Sequence, residues 1–245
     1  MKTVIIIQAR MTSTRLPGKV LRTVLGKPLL AYQLERLQRV RAADEIVVAT
    51  TVNETDDAIV NVCKQLNVLH FRGSEQDVLE RYYQAAVKRS ADTIVRITSD
   101  CPIIDPRVVN QVIEFYHGHT ECAYVSNCLP RTYPVGMDTE VFPFEALEKA
   151  YYEAVSAPDR EHVTGFIERQ PEVFRQANVP YVADCSHYRW TVDTAEDFEV
   201  ISSILTALYP RNPYFTLEDC LELLTVHPEW EAINSHVKQK AYNEK

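Results

Sequence analysis

Glycine is scarce in this chain, with only 6 among 245 residues. The familiar nucleotide-binding loops need glycines at fixed spacing, because their backbone amides must approach the phosphates closely. No G-x-G-x-x-G occurs, and G-x-x-x-x-G-K-[ST] fails around Gly18, since Ser13 stands at its first position and Val20 follows Lys19. Both of these nucleotide-binding signatures are therefore excluded.

Paired cysteines, long apolar runs and evident repeats are also lacking. The 6 cysteines include no C-x-x-C pair, so neither a zinc site nor a disulfide framework is predicted. Only Cys101, which follows an aspartate, is close to a candidate site. No apolar run reaches the roughly 18 residues that span a bilayer, and no secretory cleavage pattern follows the first predicted strand. We therefore expect a cytoplasmic protein without a membrane partner.

Acidic residues are absent from the first 34 positions, although the whole chain carries a net charge of −8. That stretch holds six lysines and arginines. The sequence pI of about 5.4 argues against nucleic acid as the main partner. Segregated positive charge on an acidic chain indicates a polyanionic ligand at one place.

A polar loop, residues 8–19, follows the β-branched run 4–7. This pattern is typical of a buried strand that delivers a loop to the edge of a parallel sheet, where open α/β sheets bind ligands. Arg10, Arg15 and Lys19 are interleaved there with hydroxyl side chains, among them Ser13. Such a loop suits a triphosphate, and on composition alone a solvated basic loop is an equal alternative.

Apolar strands and amphipathic helices alternate along the chain, with further strands predicted at 45–50, 67–71 and 93–98. This order predicts an α/β fold with right-handed crossovers and a mostly parallel central sheet. The length favours a single domain, residues 1–245, with an excursion at about 127–165.

Later segments give weaker patterns. We predict a strand over 137–142, helices over 144–155 and 159–169, and two short strands over 173–177 and 179–183. These assignments rest on short alternating runs.

Two aspartates follow predicted strands. Asp100 stands just before a proline, and a carboxylate facing a triphosphate loop could hold Mg²⁺, although an Asx-turn is the alternative. Asp193 follows another predicted strand. The capping pattern of Thr194 and Asp197 explains the local turn there, but it gives no structural role to Asp193. The two carboxylates together would complete a metal site.

Three further polar positions have weaker support. Asp138 and Glu140 would share one face of the predicted strand 137–142, where they could bind sugar hydroxyls or simply be solvated. His162 lies in the first turn of a predicted helix, and sequence alone favours a surface role over a substrate contact.

The segment after the third predicted strand contains Arg72, Ser74 and Asp77. These side chains could read a base or a ribose, because the segment emerges at the same edge of the sheet as the first loop. The local alternative, which is slightly favoured, is a helix N-cap formed by Ser74.

Five motifs in this order resemble the cytidylyltransferase family that includes acylneuraminate and 3-deoxy-manno-octulosonate cytidylyltransferases. Within it, the chain is most similar to the spore coat polysaccharide biosynthesis subgroup named SpsF. The first motif is specific, and the others gain weight from their order. They lie at residues 9–19, 72–79, 98–102, 159–164 and 191–197.

The resemblance implies a three-layer nucleotide-diphospho-sugar transferase fold and the reaction CTP + sugar → CMP-sugar + pyrophosphate. It also implies Mg²⁺ as cofactor, an acidic sugar acceptor, a role in surface polysaccharide biosynthesis and a homodimer built through about 127–160. The implied nucleotide-binding residues are Gln8, Ala9, Arg10, Ser13, Arg15, Lys19, Arg72, Ser74 and Asp77. The implied catalytic residues are Arg15, Lys19 and Asp100, the metal ligands are Asp100 and Asp193, and the acceptor residues are Asp138, Glu140 and His162.

Two other functions fit the same type of fold. A glycosyltransferase that consumes a sugar nucleotide usually holds metal with Asp-x-Asp, and Pro102 stands where the second aspartate would be. A non-catalytic nucleotide-binding subunit is the other alternative. The sequence selects neither the acceptor nor, with certainty, the nucleobase.

Overall fold

Short apolar segments form the strands of a central sheet in the computed structural model, which describes residues 1–239. The buried run in the first strand is fully excluded from solvent, as expected for a central strand covered on both faces. The strands are β1 Thr3–Gln8, β2 Thr23–Val24, β3 Lys27–Pro28, β4 Glu45–Thr51, β5 Leu69–Gly73, β6 Thr93–Thr98, β7 Tyr124–Ser126, β8 Glu140–Pro143 and β9 Gln176–Asn178.

Amphipathic helices connect the strands and cover both faces of the sheet. Short 3₁₀ turns lie at Lys19–Leu21 and Glu54–Asp56. The helices are α1 Leu29–Leu37, α2 Asp57–Gln65, α3 Val78–Arg89, α4 Pro106–Gly118, α5 Phe144–Glu153, α6 Ala157–His162, α7 Gly165–Glu168, α8 Ala195–Leu208, α9 Leu217–Val226 and α10 Pro228–Asn234.

The seven-stranded sheet has the order β5-β4-β1-β6-β8-β7-β9, and β2 pairs separately with β3. Strand β1 is parallel to both β4 and β6, whereas β8 is antiparallel to β6 and to β7. Within this sheet, β8 is therefore the one strand that runs against the others. Two apolar clusters pack on opposite faces, which confirms the predicted three-layer α/β fold with a mostly parallel sheet.

Four predictions about later segments were wrong. The segment before Asp193, predicted as a strand, forms only an isolated bridge, between Arg189 and Val135. Strand β8 begins only at Glu140, because Asp138 is held in the preceding loop by Arg131 at 2.5 Å. The two short strands predicted over 173–183 are the single strand β9. The helix predicted over 159–169 is broken at Val163, which has a φ of 68° and separates α6 from α7.

The described residues include no helix that is long and apolar enough to cross a membrane. The predicted single domain extends to residue 245, and its end, 240–245, lies outside the described residues. The N-terminal half of the sheet, β1, β4, β5 and β6, brings its carboxyl ends to one edge, where the candidate site lies.

Candidate active site

A cleft of about 440 Å³ opens at the carboxyl ends of β1 and β6. Its lining is dominated by charged and polar side chains, contributed by the loop after β1, the start of α3, the turn after β6 and the segment from α6 to α7. Open α/β sheets bind their ligands at this position, since the strand order reverses direction there. The site predicted from the first loop and from Asp100 is therefore a single cavity.

The loop after β1 is held by its own backbone. Gly18 adopts a φ of 67°, and its amide donates to the carbonyl of Met11 at 2.9 Å, which closes the loop. Leu16 and Val20 are buried beneath it. Because glycine reaches positive φ without strain, it lets the chain turn here and direct Lys19 into the cleft.

Lys19 lies between the two predicted metal ligands. Its ammonium group donates to Asp100 Oδ2 and to Asp193 Oδ1, each at 2.8 Å. Burial disfavours the charged form of Lys19, but the two carboxylates outweigh it and raise its pKa. Burial also opposes ionisation of Asp100, yet Lys19 and the Thr98 hydroxyl hold the pKa of that carboxyl well below its usual range.

Asp193 has further support that sequence reasoning missed. Arg15 contacts Asp193 Oδ2 at 2.9 Å, and Arg189 donates to the same oxygen at 2.8 Å. Arg189 is buried and also bonds to Asp197, which is fully excluded from solvent. Asn234 on α10 donates to Asp197 Oδ1 at 3.0 Å. An arginine inside an otherwise apolar strand-like segment was the available sign of this network.

The predicted nucleotide-binding loop reaches the cleft. Gln8, Ala9, Arg10, Ser13, Arg15 and Lys19 all line it. Arg10 lies 3.9 Å from Glu75, which is a long ion pair. The loop therefore brings three cations to one cavity, as the charge pattern predicted.

The other three predicted nucleotide-binding residues do not line the cleft. Arg72 turns away and contacts Asp57 at 2.5 Å. Asp77 caps α3, accepts from Glu80 N at 2.8 Å and pairs with Arg160. The cap of α3 is thus Asp77, whereas the Ser74 hydroxyl accepts from the amide of Asp77 at 3.1 Å. Their contacts with a nucleotide stay predictions.

Residues that the sequence did not single out occupy part of the wall instead. Val78 and Arg81 of α3 line the cleft, as does Arg96 of β6. Basic side chains on amphipathic helices are usually solvated, which is why the sequence pattern gave no reason to select Arg81.

The predicted acceptor residues do not all lie at the cleft. His162 lines the cleft, and Glu140 lies beside it with Oε1 2.5 Å from the Arg96 guanidinium. Burial raises the pKa of Glu140, although Arg96 counteracts it. Asp138 pairs with Arg131 and does not line the cleft. Its role in binding an acceptor stays a prediction.

A strained turn lies in the part of the cleft wall that contains His162. Val163 has φ 68° and ψ −59° and is fully buried, and the amide of Thr164 donates to the carbonyl of His162 at 2.7 Å. A β-branched residue at positive φ is a rare conformation, and such strain is concentrated at functional sites. The turn places His162 and Thr164 on the cleft wall.

The sequence profile described as cytidylyltransferase matches residues 4–239. The chain belongs to the cytidylyltransferase family. It is therefore a nucleotidyltransferase, as its five motifs predicted.

Two similar proteins support this cytidylyltransferase assignment over nearly the whole chain. A cytidylyltransferase structure from Leptospira borgpetersenii is 34% identical, with a TM-score of 0.90, and the match covers 98% of this chain and 100% of that one. Spore coat polysaccharide biosynthesis protein SpsF of Bacillus subtilis is 32% identical over 91% of this chain and 94% of its own length.

A more distant similarity concerns the fold alone. The structure of CMP:2-keto-3-deoxy-manno-octonic acid synthetase complexed with CTP is 18% identical, with a TM-score of 0.64. The match covers 84% of this cytidylyltransferase and 99% of that chain.

The donor set of the cytidylyltransferase cleft fits Mg²⁺. Asp100 and Asp193 converge on one cation, since both accept from the same Lys19 ammonium group. Carboxylate oxygens are the ligands that Mg²⁺ prefers, and it is commonly bound by one or two of them together with substrate phosphates. No cluster of three or more His, Cys, Asp or Glu residues suited to a metal occurs within residues 1–239. The remaining ligands would therefore come from the substrate and water.

Proposed function

We propose that this cytidylyltransferase transfers CMP from CTP to a sugar and releases pyrophosphate, with Mg²⁺ as cofactor. The observation that carries the proposal is the convergence of Lys19 on Asp100 and Asp193 within a cleft that Arg10 and Arg15 also line. A pair of carboxylates next to several cations suits a metal-bound triphosphate, because the carboxylates would bind the metal and the cations would bind the phosphates.

The chemistry assigns a task to each of these residues. In-line attack of a sugar oxygen on the α-phosphorus builds negative charge on the nonbridging oxygens and on the departing pyrophosphate. Asp100 and Asp193 would hold Mg²⁺, which supplies charge stabilisation to the α-phosphate when bound. Lys19 and Arg15 would stabilise the leaving pyrophosphate, while the loop positions the triphosphate.

The acceptor side of the cleft suits a hydroxylated substrate. His162, Thr164 and Glu168 offer hydrogen-bonding groups on that wall, next to Arg96. An acidic sugar destined for a surface polysaccharide agrees with the names of related proteins, which include SpsF and 3-deoxy-manno-octulosonate cytidylyltransferases. If Asp100 and Asp193 held Mg²⁺ there, the metal would supply the acidity that lets the attacking hydroxyl lose its proton to water.

A release assay tests the proposal. Purified protein is incubated with Mg²⁺, each of the four nucleoside triphosphates in turn and a panel of acidic sugars, and pyrophosphate is measured. We expect release with CTP and one class of sugar. Release of a nucleoside diphosphate from a sugar nucleotide would support a glycosyltransferase instead. Binding of CTP without pyrophosphate release across the panel would support a non-catalytic subunit.

A homodimer built through about 127–160 is a further part of the proposal. This segment presents Tyr152, which is 70% exposed, and Val155, which is 93% exposed. Tyr151 stacks on Tyr83 at 4.2 Å close to them, so the surface is rich in aromatic side chains, which are enriched at interfaces. Light scattering at micromolar concentration should give the mass of two chains, and a monomeric mass would contradict the dimer.

A further inference from the structure

Arg81 is a buried arginine that forms no ion pair with a carboxylate of residues 1–239. The whole residue is only 1% exposed, and within residues 1–239 the one hydrogen bond of its side chain runs from NH1 to the carbonyl of Ser74 at 2.7 Å. Its Nε has no hydrogen-bond partner among these residues. Burial lowers the pKa of Arg81, which expresses the cost of keeping this charge away from water.

Arg36 is a buried arginine outside the cleft and serves as a comparison, although its NH1 atom also lacks a hydrogen-bond partner. It is 3% exposed, donates to the carbonyls of Ile104 at 2.7 Å and Phe215 at 3.0 Å, and lies 4.1 Å from the centroid of the Phe215 ring. Arg81 has half as many carbonyl partners and lines the cleft, so a ligand is the natural source of its missing partner.

The surroundings of Arg81 suit the planar base of a nucleotide. Ala9 and Val78, which line the same cleft, present small apolar surfaces. Gly73, at the end of β5, leaves room for the Arg81 side chain, because a Cβ there would lie 3.2 Å from Arg81 Cγ. In the sheet, β4 and β1 separate β5 from β6, whose end carries Asp100. Arg81 therefore enters the cleft from the β5 side, away from the carboxylate pair.

We propose that Arg81 donates to the acceptor edge of the nucleobase, O2 and N3 of cytosine, and thereby selects CTP over UTP. The guanidinium group has only donors, in a planar fork that matches two neighbouring acceptors. Uracil carries N3–H in place of the N3 acceptor, so this N–H donor would face an N–H donor of Arg81. A buried polar group left unpaired in this way discriminates strongly against the wrong substrate. This inference rests on the proposed transfer from a nucleoside triphosphate.

Equilibrium binding tests the role of Arg81 without the acceptor. CTP, UTP and inorganic tripolyphosphate are titrated with Mg²⁺ into the wild type and into Arg81→Met. We expect the variant to lose about tenfold or more in CTP affinity, whereas its affinities for UTP and tripolyphosphate change by less than about twofold. Its thermal midpoint should equal or exceed that of the wild type, because the substitution removes an uncompensated buried charge.

Arg36→Met is the matched control. It should lower the thermal midpoint and leave CTP affinity unchanged, since Arg36 is bonded to backbone carbonyls outside the cleft. An equal loss for CTP, UTP and tripolyphosphate in Arg81→Met would assign Arg81 to the phosphates and overturn the inference, as would unchanged CTP binding. If the wild type binds UTP as tightly as CTP, the inference that Arg81 selects cytosine is overturned, but the proposed function is not. A wild type that binds no nucleoside triphosphate contradicts the proposed function itself.

Discussion

At the scale of single residues, the site is built around one ammonium group. Lys19 satisfies two aspartates from distant parts of the chain, and it is 12% exposed, so its charge is partly removed from water. Two carboxylates this close would repel each other without a cation between them. The free protein therefore balances these two carboxylates with a cation of its own.

Asp100→Asn should abolish turnover while sparing the fold. Asparagine keeps the shape of the side chain, and Lys19 keeps Asp193 as a partner, but the charge for the metal is lost. We expect pyrophosphate release to fall by about 100-fold or more, with a thermal midpoint close to that of the wild type. Asp184→Asn, on the exposed surface, is the control and should retain full activity. Nearly full turnover of Asp100→Asn at saturating Mg²⁺ would refute the metal assignment.

Lys19→Met should make stability depend on Mg²⁺. The variant leaves Asp100 and Asp193 without their shared cation, which should cost about 1–3 kcal/mol of unfolding free energy. Mg²⁺ alone should recover much of this loss in thermal denaturation. Lys27→Met removes an ion pair with Glu35 outside the cleft, so its loss should be the same with and without Mg²⁺. Equal responses of the two variants to Mg²⁺ would contradict this account.

The site residues that were predicted from the sequence are mostly polar residues near the ends of predicted strands. Lys19 and Asp100 were predicted because the loops that follow buried strands meet at one edge of a parallel sheet. Asp193 was predicted from a strand end as well, but the segment before it forms only an isolated bridge, at Arg189. Arg81 and Arg189 were missed, since their burial depends on how the whole chain packs. Whether a buried arginine is paired cannot be predicted from local periodicity.

At the scale of elements, helix α10 supports a site that it does not line. Asn234 bonds to the carbonyl of Arg189 at 2.9 Å and to Asp197, and Arg189 in turn bonds to Asp193. The predicted capping box of Thr194 and Asp197 is present at the start of α8 and is confirmed. The same carboxylate therefore both caps a helix and holds the arginine that contacts Asp193, the proposed metal ligand.

Arg189→Met should destabilise the protein and weaken its response to Mg²⁺. It leaves Asp197 as a buried charge without its ionic partner, which should cost about 3–5 kcal/mol in urea unfolding. Asn234→Ala should cost less, about 1–2 kcal/mol. In both variants the Mg²⁺ concentration for half-maximal pyrophosphate release should rise, because Asp193 loses support. Arg211→Met, at an exposed position, is the control and should change neither quantity by much. An unchanged Mg²⁺ requirement in Arg189→Met would contradict the positioning role.

Element types were easier to predict than their ends. The first four parallel strands were found because each is a run of buried apolar residues. The break at Val163 was missed, since a buried β-branched residue gives no local indication of positive φ. The hairpin of β2 and β3 was also missed, because two-residue strands carry no periodicity.

At the scale of the whole molecule, ion pairs tie the sheet to its helices at the end opposite the cleft. Glu45, the first residue of β4, accepts two hydrogen bonds from Arg89 on α3, at 2.7 and 2.9 Å, and contacts Lys2 at 2.8 Å. The hydrogen bonds from Arg89 lower the pKa of Glu45 to about 2. This cluster joins residues from three separate parts of the chain.

Glu45→Gln should lower stability in a pH-dependent way. A folded pKa below the unfolded value stabilises the native state above about pH 4.5, and the contribution disappears as the pH falls toward 2. The variant should therefore be about 1–2 kcal/mol less stable than the wild type at pH 7. Urea unfolding at pH 7, 5, 4 and 3 should show this difference shrinking below pH 4.5. A difference that stays constant across the series would contradict the assignment.

Under the proposed function, the position of Lys19 couples the binding of Mg²⁺ to the binding of the nucleoside triphosphate. A metal ion can reach both Asp100 and Asp193 only when the ammonium group moves, and a triphosphate offers that group a new partner. We expect Mg²⁺ to raise the affinity for CTP and CTP to raise the affinity for Mg²⁺ by the same factor, as titrations in either order would measure. The free enzyme would then resist loading with metal alone, and metal and nucleotide would enter together.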